Sequence, residues 1–317
     1  MKNYKRSIAF LIIIAGLLLF LFPFGSIVYN ELNLNNETLD YEQMVKDFSD
    51  EEKERLNSEI EKYQTAIHNQ KSEIVKSETE VEYERAMAVV DPFSEEDYQS
   101  ESPITGFDSG DAYGFIRIPK IGENLPLYLG ASSYHLSMGA AQIEGSDMPV
   151  GGEGTRCVIA GHRGYYSRPM FRYVDVMTGG DKIYLYTPQG SLVYEVKDIE
   201  EIYPTQTDAL LPREGKDTLT LLTCTPYPTN RMRLLINAER VEGEAPILNP
   251  EAEVNKNPAM ELIDALAGER EETDSVPAKK KKQIYAVTII GVILLILAVI
   301  KFFKVFAEDR KRSKGAL

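Results

Sequence analysis

One cysteine and one histidine of this chain each stand at the end of an apolar run. Cys224 ends "TLTLLTC" and is followed at once by a Thr-Pro-Tyr-Pro turn, and His162 directly follows "CVIAG". A thiol and an imidazole at strand ends are the groups that nucleophilic acyl transfer needs, one as the attacking atom and one as acid and base. A disulfide is the alternative, because the chain has two cysteines and cysteines outside the cytoplasm commonly pair.

The position of the second cysteine makes these two interpretations exclude each other. Cys157 lies five residues before His162 on the same predicted strand, about 16 Å away at about 3.3 Å per residue. A disulfide allows about 7 Å between Cα atoms, so Cys224 cannot both face His162 and bond to Cys157. If Cys224 is the nucleophile, Cys157 is a small buried apolar residue. Of the other histidines, we expect His68 to be solvated on a charged helix and His135 to lie in a loop.

A third group should stabilise the negative charge that develops on an attacked carbonyl oxygen. Arg231 and Arg233, in "TNRMRLLIN", are the candidates, because a guanidinium can donate hydrogen bonds to an oxyanion. The strand period of two places both side chains on one face, so the pattern does not choose between them.

Residues 112–242 must supply the framework that positions these groups. Short apolar segments alternate there with turns rich in Gly, Pro, Asp and Asn. The segments are "YGFIRIP", "LPLYLG", "RCVIAG", "KIYLYTP", "SLVYEVK", "TLTLLTC" and "MRLLINAERV". The stretch "YTPQGSLVYEV" predicts a hairpin that turns at Gln189 and Gly190. So many short strands predict a β-barrel or a β-sandwich.

Two apolar runs flank this framework, and each is long enough to cross a bilayer core, which needs about 20 residues. Residues 8–28 lack a small-x-small cleavage site, so we favour an uncleaved anchor over a cleaved signal peptide. Residues 284–303 precede a basic tail. The positive-inside rule predicts that both termini are cytoplasmic, although the four lysines at 279–282 then fall outside.

Acidic residues dominate between the two apolar runs. The chain has 35 Lys and Arg against 49 Asp and Glu, a formal net charge of −14. Residues 1–30 and 279–317 contain 13 of the basic residues and two of the acidic ones, which leaves −25 for the segment between them. An external domain with this charge repels nucleic acid and anionic lipid, so we expect it to bind neither.

The segments before and after the strands are predicted to be helical or to act as linkers. Residues 31–86 contain no Gly or Pro, and Ser49 with the acidic residues after it is a typical helix start. We predict one or two amphipathic helices near the membrane, with an exposed charged stalk as the alternative. After Glu242 the chain is acidic and contains one predicted short helix, "NPAMELIDALAG".

Three motifs, in this order, resemble those of the sortase family. "GHRG" at 161–164 is similar to the sortase histidine segment, and "TLLTC" at 220–224 matches the TLxTC signature. "RLLI" at 233–236 resembles the segment that carries the sortase arginine, which selects Arg233 over Arg231. The similarity extends over residues 85–242 or so; one departure is Gln142, where the family often has histidine.

Two features resemble class C, the sortases that polymerise pilins. "DPF" at 91–93 is similar to the lid of that class, and a second membrane span with a basic tail is also typical of it. The resemblance implies that Asp91, Pro92 and Phe93 cover the resting active site, with Asp91 paired to Arg233 and the Phe93 ring against Cys224. An ordinary linker turn is the alternative.

The resemblance also implies a fold and an activity. The fold is mainly β: a closed eight-stranded barrel with short helices, preceded by membrane-proximal helices and flanked by two transmembrane helices. Cys224 would attack the Thr–Gly carbonyl of an LPxTG-like sorting signal, His162 would transfer protons, Arg233 would stabilise the oxyanion, and Thr223 would contact substrate. The thioester would pass to a lysine of the next pilin.

Three other functions stay open: anchoring of proteins to a peptidoglycan amine, hydrolysis by a secreted cysteine peptidase, and a non-enzymatic β-module. We expect no cofactor, no metal, no nucleic-acid partner and a monomer, with pilins or surface proteins and the bilayer as partners. The expected organisation is a membrane anchor at 1–30, helices at 31–86, lid and linker at 87–111, the barrel at 112–242, an acidic linker at 243–283, a transmembrane helix at 284–306 and a cytoplasmic tail at 307–317.

Overall fold

The chain forms two compact units, one from residues 1–33 and 256–317 and the other from residues 34–255. The computed structural model describes residues 5–74, 90–95, 97–107, 110–165, 168–243, 245 and 276–314. The helix predicted at "NPAMELIDALAG" lies outside the described residues.

Eight strands close the larger unit into a barrel. They are β1 (Gly114–Ile118), β2 (Glu123–Leu129), β3 (Ala140–Gln142), β4 (Thr155–Ala160), β5 (Lys182–Thr187), β6 (Gly190–Ile202), β7 (Asp217–Thr225) and β8 (Met232–Arg240). Their order around the barrel is β1-β2-β3-β4-β7-β8-β6-β5, and β5 pairs with β1. The β2–β3 and β4–β7 pairs are parallel, and the other pairs are antiparallel. The predicted closed eight-stranded fold is confirmed.

The predicted hairpin is also confirmed, with its turn one residue earlier than expected. β5 and β6 pair as far as Thr187 and Gly190, so Pro188 and Gln189 form the turn. The sequence pattern does not predict β3, because three residues are too few to display a period of two.

Alternation along the strands divides the apolar side chains between the barrel interior and the outer face of the sheet. On β7, Leu219 and Leu221 belong to the interior cluster, whereas Leu222 belongs to a second cluster outside it. The outer cluster packs β4, β7 and β8 against the short helix α3 (Ser133–Met138). Since Cys224 is two residues beyond Leu222, the strand period places Cys224 on the outer face.

Two helices precede the barrel in the chain, α1 (Lys5–Asp47) and α2 (Asp50–Ile74). The predicted cap at Ser49 is confirmed, because the Glu52 N–H donates to Ser49 Oγ at 3.2 Å and the Ser49 N–H donates to the Glu52 carboxylate at 2.8 Å. The apolar face of α2 packs on the barrel through Leu56 and Ile60. The amphipathic-helix prediction is therefore confirmed for α2, which is not an exposed stalk; the placement of these helices near the membrane stays a prediction.

Two histidines lie in surroundings that the sequence did not predict. His68 is not simply solvated: its Nε2 lies 2.6 Å from Oδ1 of Asp147, a carboxylate with no solvent exposure. His135 lies on α3 rather than in a loop, is 4% exposed, and stacks on Tyr128. Each makes tertiary contacts that depend on residues elsewhere in the chain, so local composition could not indicate them.

The smaller unit contains two long apolar helical segments. They lie within α1 and within α4 (Val276–Lys314). The segments Lys5–Asn30 and Gln283–Lys311 are long and apolar enough to cross a membrane, with mean hydropathies of 2.7 and 2.8. This agrees with association of the chain with a membrane.

Candidate active site

The candidate catalytic residues come from three neighbouring strands. The last register pair of the parallel strands β4 and β7 is Ala160 with Leu222, and His162 and Cys224 each lie two residues further along. On the other side of β7, Cys224 is the register partner of Arg233 on β8. Register partners on adjacent strands lie about 5 Å apart, so Cys224 lies in the chain segment between the one that carries His162 and the one that carries Arg233.

The segment that carries His162 is fixed by hydrogen bonds to β7. The Gly161 N–H donates to the Leu222 carbonyl at 3.1 Å, and Thr223 Oγ1 donates to the Gly161 carbonyl at 2.7 Å. Thr223 is 1% exposed. We expected Thr223 to contact substrate; the structure instead uses its hydroxyl to join the two strand ends.

Glycine is required at position 161 by the packing behind His162. A Cβ atom there would lie 2.7 Å from the ring of Phe171, closer than side chains tolerate. The Phe171 N–H in turn donates to the His162 carbonyl at 3.1 Å. The aromatic residue thus packs under the turn and holds the backbone of the histidine.

The structure distinguishes the two arginines that the sequence pattern left equivalent. Arg231 precedes β8 and is exposed, whereas Arg233 lies on β8 and is 4% exposed. Arg233 Nη1 donates to the carbonyls of Asn230 and Met232 at 3.3 and 3.1 Å. A guanidinium fixed in this way beside Cys224 suits the role of an oxyanion donor.

Asp91 forms a buried ion pair with Arg233. Its Oδ2 accepts from Arg233 Nη2 at 2.6 Å and from Nε at 2.9 Å, and the two side chains are 5% and 4% exposed. The same carboxylate accepts from the Phe93 N–H at 3.1 Å and from Ser94 Oγ at 2.8 Å, so it also fixes its own turn. Pro92, inside this turn, is buried and limits the backbone freedom of the turn.

The Phe93 ring covers the groups on either side of the thiol. Its centroid lies 5.3 Å from that of His162 and 5.6 Å from the Arg233 guanidinium carbon. We expected this ring against Cys224 itself; the structure gives it His162 and Arg233 as neighbours. Tyr165 stacks on His162 with a centroid separation of 4.8 Å and an interplanar angle of 14°. The imidazole therefore contacts two aromatic rings.

Burial keeps both reactive groups neutral in this arrangement. It raises the pKa of the Cys224 thiol to about 11; the charges of Arg233 and Arg163 oppose that rise, and the Asp91 carboxylate adds to it. Burial also lowers the pKa of His162. Both shifts favour the uncharged form, so the closed site disfavours the thiolate.

Arg163 is a further residue of the site that sequence reasoning missed. Its Nη1 donates to the Cys224 carbonyl at 3.4 Å, its Nε donates to the Arg172 carbonyl at 3.0 Å, and its Nη2 lies 3.1 Å from Oδ2 of Asp175. The side chain therefore connects the backbone of the nucleophile to the loop after His162. Its position directly after His162 in "GHRG" was the available clue.

No metal centre accompanies these groups in the described part of the chain, where no cluster of three or more His, Cys, Asp or Glu side chains is placed to hold an ion. Both cysteines are free there, and Cys157 is buried in the interior cluster. A thiol between an imidazole and a fixed guanidinium on a barrel rim is the site of a cysteine enzyme that transfers acyl groups.

Comparison with known proteins agrees with this class. The family model for the sortase domain matches residues 116–241. The solved sortase C of Streptococcus pneumoniae is 30% identical, with a TM-score of 0.53, over 66% of this chain and 98% of that one. The sortase C of Clostridium perfringens, solved with the C-terminal cell wall sorting motif, is 31% identical over 66% of this chain and 99% of that one, with a TM-score of 0.52.

A curated relative, sortase A of Bacillus anthracis, is 28% identical over 146 residues, which are 46% of this chain and 68% of that protein. The chain belongs to the sortase family of cysteine transpeptidases, and its solved neighbours place it with class C. Sortases act on surface proteins that carry sorting signals, and the two apolar helices agree with association with the bilayer.

Proposed function

We propose that this chain is a pilin-polymerising transpeptidase whose resting active site is closed by the segment around Asp91. The observation that carries the proposal is the buried Asp91–Arg233 ion pair with the Phe93 ring over His162. The pair occupies the guanidinium that an oxyanion would need, so the closed site cannot accept a substrate carbonyl. The sortase C of Streptococcus pneumoniae, a similar chain, was described together with its pilin substrate specificity, which supports the choice of substrate.

In the first half-reaction, Cys224 Sγ attacks the carbonyl carbon between Thr and Gly of an LPxTG-like sorting signal. The thiol proton passes to His162, and Arg233 donates hydrogen bonds to the oxyanion that forms. When the C–N bond breaks, the imidazolium of His162 gives its proton to the leaving glycine amine. The products are a thioester on Cys224 and a released C-terminal peptide.

In the second half-reaction, the amine of a pilin lysine attacks the thioester carbonyl. His162 accepts a proton from that amine, the C–S bond breaks, and the imidazolium gives this proton to the departing thiolate, which restores the thiol of Cys224. The new bond is an isopeptide bond between two pilin subunits, and the kinetics are ping-pong because the first product leaves before the acceptor reacts.

The site must open before either step. Asp91 has to leave Arg233, and Phe93 has to leave His162, for a peptide to reach the three strand ends. Opening also exposes the thiol to water and removes the Asp91 charge, both of which lower the pKa of Cys224 from its closed value of about 11. Access to the site and ionisation of the thiol therefore increase together.

The proposed topology places this reaction outside the cell. Both termini are cytoplasmic, the two apolar helices cross the membrane, and the acidic unit between them is extracellular. The partners are pilins or surface proteins with C-terminal sorting signals, and the enzyme is a monomer that needs no cofactor.

Mixing the membrane-embedded chain with candidate pilins that carry sorting signals tests the proposal. We expect covalent ladders that survive boiling in SDS and whose inter-subunit linkages are lysine isopeptide bonds. Cys224→Ala is the matched control, and it should give no ladder and no cleavage.

The other possible functions give different products in the same experiment. Product that forms only with added peptidoglycan stem peptide indicates a cell-wall-anchoring sortase instead. Release of the cleaved pilin at a rate independent of any amine indicates a peptidase, and ladders with Cys224→Ala equal to those of the unaltered chain contradict catalysis by this residue.

A further inference from the structure

The two apolar helices of the smaller unit bury matching stripes of side chains. Along α1 from residue 7 to residue 24, the positions that are not exposed are Ser7, Phe10, Ile14, Leu17, Leu21 and Phe24. Along α4 from residue 291 to residue 311 they are Gly291, Leu295, Ala298, Phe302, Val305 and Asp309, with Val299 in addition. Steps of three and four residues average 3.5, the repeat of helices that pack along a shared seam.

Contacts at both ends of these stripes show that they face each other. Leu21 meets Gly291 so closely that a Cβ atom at position 291 would lie 2.1 Å from the Leu21 side chain. At the other end, Ser7 Oγ donates to Asp309 Oδ2 at 2.7 Å, and both residues are buried. As residue number rises along α1 it falls along α4, so the helices are antiparallel. We call this interface the seam.

Intermediate contacts follow the same register. The Lys301 ammonium lies 5.9 Å from the centroid of the Phe10 ring, and Arg6 Nη1 lies 3.6 Å from Glu308 Oε2. Both pairs join the first part of α1 to the last part of α4, as an antiparallel arrangement requires. The seam is thus a continuous contact and not a crossing at one point.

The chemistry of the seam suits a bilayer. Apolar side chains gain little from each other in lipid, so helices there associate through close backbone approach at small residues and through polar pairs between helices. Gly291 supplies the close approach, and Ser7 with Asp309 supplies the polar pair. Asp309 lies at the charged end of α4, beyond the apolar run at residues 284–303, and its buried carboxylate accepts a hydrogen bond from the N-terminal helix there.

We propose that the two apolar helices form one antiparallel anchor along the seam, so that the N-terminal helix is retained in the mature protein as the partner of the C-terminal helix. Removal of residues 7–28 would leave Asp309 without the Ser7 hydroxyl and would expose the groove at Gly291. The proposal rests on the membrane placement proposed above and not on any catalytic residue, so the two can fail separately.

Disulfide cross-linking of the full chain in its membrane tests the seam. Ile14 and Ala298 lie seven residues inward from Leu21 and Gly291, so Ile14→Cys with Ala298→Cys should form a bond under mild oxidation. The bond is read by mass spectrometry of the linked peptides after proteolysis. The control pair is Ile13→Cys with Leu297→Cys, whose native side chains are 51% and 57% exposed. Equal yields for both pairs, or linkage only between two chains, would overturn the proposal.

A pair of glycine substitutions provides a second measurement in the Ile14→Cys, Ala298→Cys chain. Gly291→Ile should remove most of the cross-linked product, because the new side chain would occupy the space of Leu21. Gly16→Ile should leave the yield unchanged, because nothing lies within 4 Å of a Cβ atom at that position. Peptide mapping of the mature chain should recover residues 7–28. Undiminished cross-linking with Gly291→Ile, or a mature chain without residues 7–28, overturns the seam whether or not the enzyme transfers acyl groups.

Discussion

Replacing Asp91 with alanine should make Cys224 react faster with a small thiol reagent. The carboxylate is the partner of a buried guanidinium, and its loss removes the ion pair that holds the segment over the site. Removing one partner of a buried ion pair costs about 3–5 kcal/mol when the other charge stays buried. Here Arg233 keeps two carbonyl acceptors and the segment can move away, so we take about 2 kcal/mol as the destabilisation of the closed state.

That energy converts directly into a labelling rate. Because each 1.4 kcal/mol is tenfold in an equilibrium constant, about 2 kcal/mol raises the open fraction about 30-fold until the open state predominates. The labelling rate is proportional to the open fraction when opening is rapid. Loss of the Asp91 charge also lowers the pKa of Cys224, which is about 11 in the closed site, so the thiolate fraction at neutral pH rises as well. The gain should therefore be about 30-fold or more.

The assay is iodoacetamide labelling of the full chain in detergent micelles, with mass spectrometry to assign the alkylated cysteine. Cys157 serves as an internal control, because it is buried and burial raises its pKa well above the ordinary value. Glu95→Ala is the matched control, since Glu95 is an exposed acid of the same segment. Phe93→Ala should give a smaller gain, because it removes one ring and keeps the ion pair.

The reasoning about closure fails if neither Asp91→Ala nor Phe93→Ala changes the labelling rate of Cys224. A different result, lost transfer activity with unchanged labelling, would show that the segment binds substrate rather than closing the site. Labelling that rises in Glu95→Ala as much as in Asp91→Ala would show that general loosening of the segment, and not the ion pair, controls access.

Three further predictions concern the groups around the thiol. Arg233→Ala should lower kcat/KM for a sorting-signal peptide about 10²–10³-fold, the usual loss for one oxyanion donor, while exposed Arg231→Ala should have little effect; equal losses would contradict the assignment. Arg163→Met should raise the pKa of the Cys224 thiol, because it removes a positive charge close to that residue. The pKa is measured from the pH dependence of labelling in the Asp91→Ala chain, where Arg163→Lys should restore part of the shift. A pH profile that does not move would limit Arg163 to a structural role. Gly161→Ala should cost about 1–3 kcal/mol of stability in thermal unfolding, because its Cβ would lie 2.7 Å from the Phe171 ring. Gly179→Ala is the control and should change stability little, because its Cβ would have no neighbour closer than 3.8 Å.

Local pattern predicted most of the strands but not the pairing that brings them together. The runs around β4 and β7 are apolar, bounded by turns and readable from sequence alone. Their parallel pairing joins Thr155 to Asp217, and a contact between residues so far apart in the sequence does not affect the hydrophobic pattern within either strand. β3 is recognisable only from its partners on β2 and β4, because its own three residues display no pattern.

The candidate site was predictable where a reactive side chain ends an apolar run, as for Cys224 and His162. The strand pattern could not choose between Arg231 and Arg233, because period two places both on one face and only the start of β8 at Met232 separates them; the choice of Arg233 came from the resemblance to the family. His68 was misjudged for a similar reason. Its helix is charged and looks solvated, but its partner Asp147 lies 79 residues further along the chain.

In the proposed resting enzyme, the Asp91–Arg233 pair would protect the thiol without a separate inhibitor. At the extracellular location that we propose, a free thiolate would be open to oxidation and to attack on unintended acyl groups. Closure by Asp91 removes three requirements of the reaction together: the guanidinium is neutralised, the imidazole is covered by Phe93, and the thiol is kept protonated by burial. In the proposed mechanism, a peptide that displaces Asp91 restores all three in one movement, so the substrate also activates the nucleophile that attacks it.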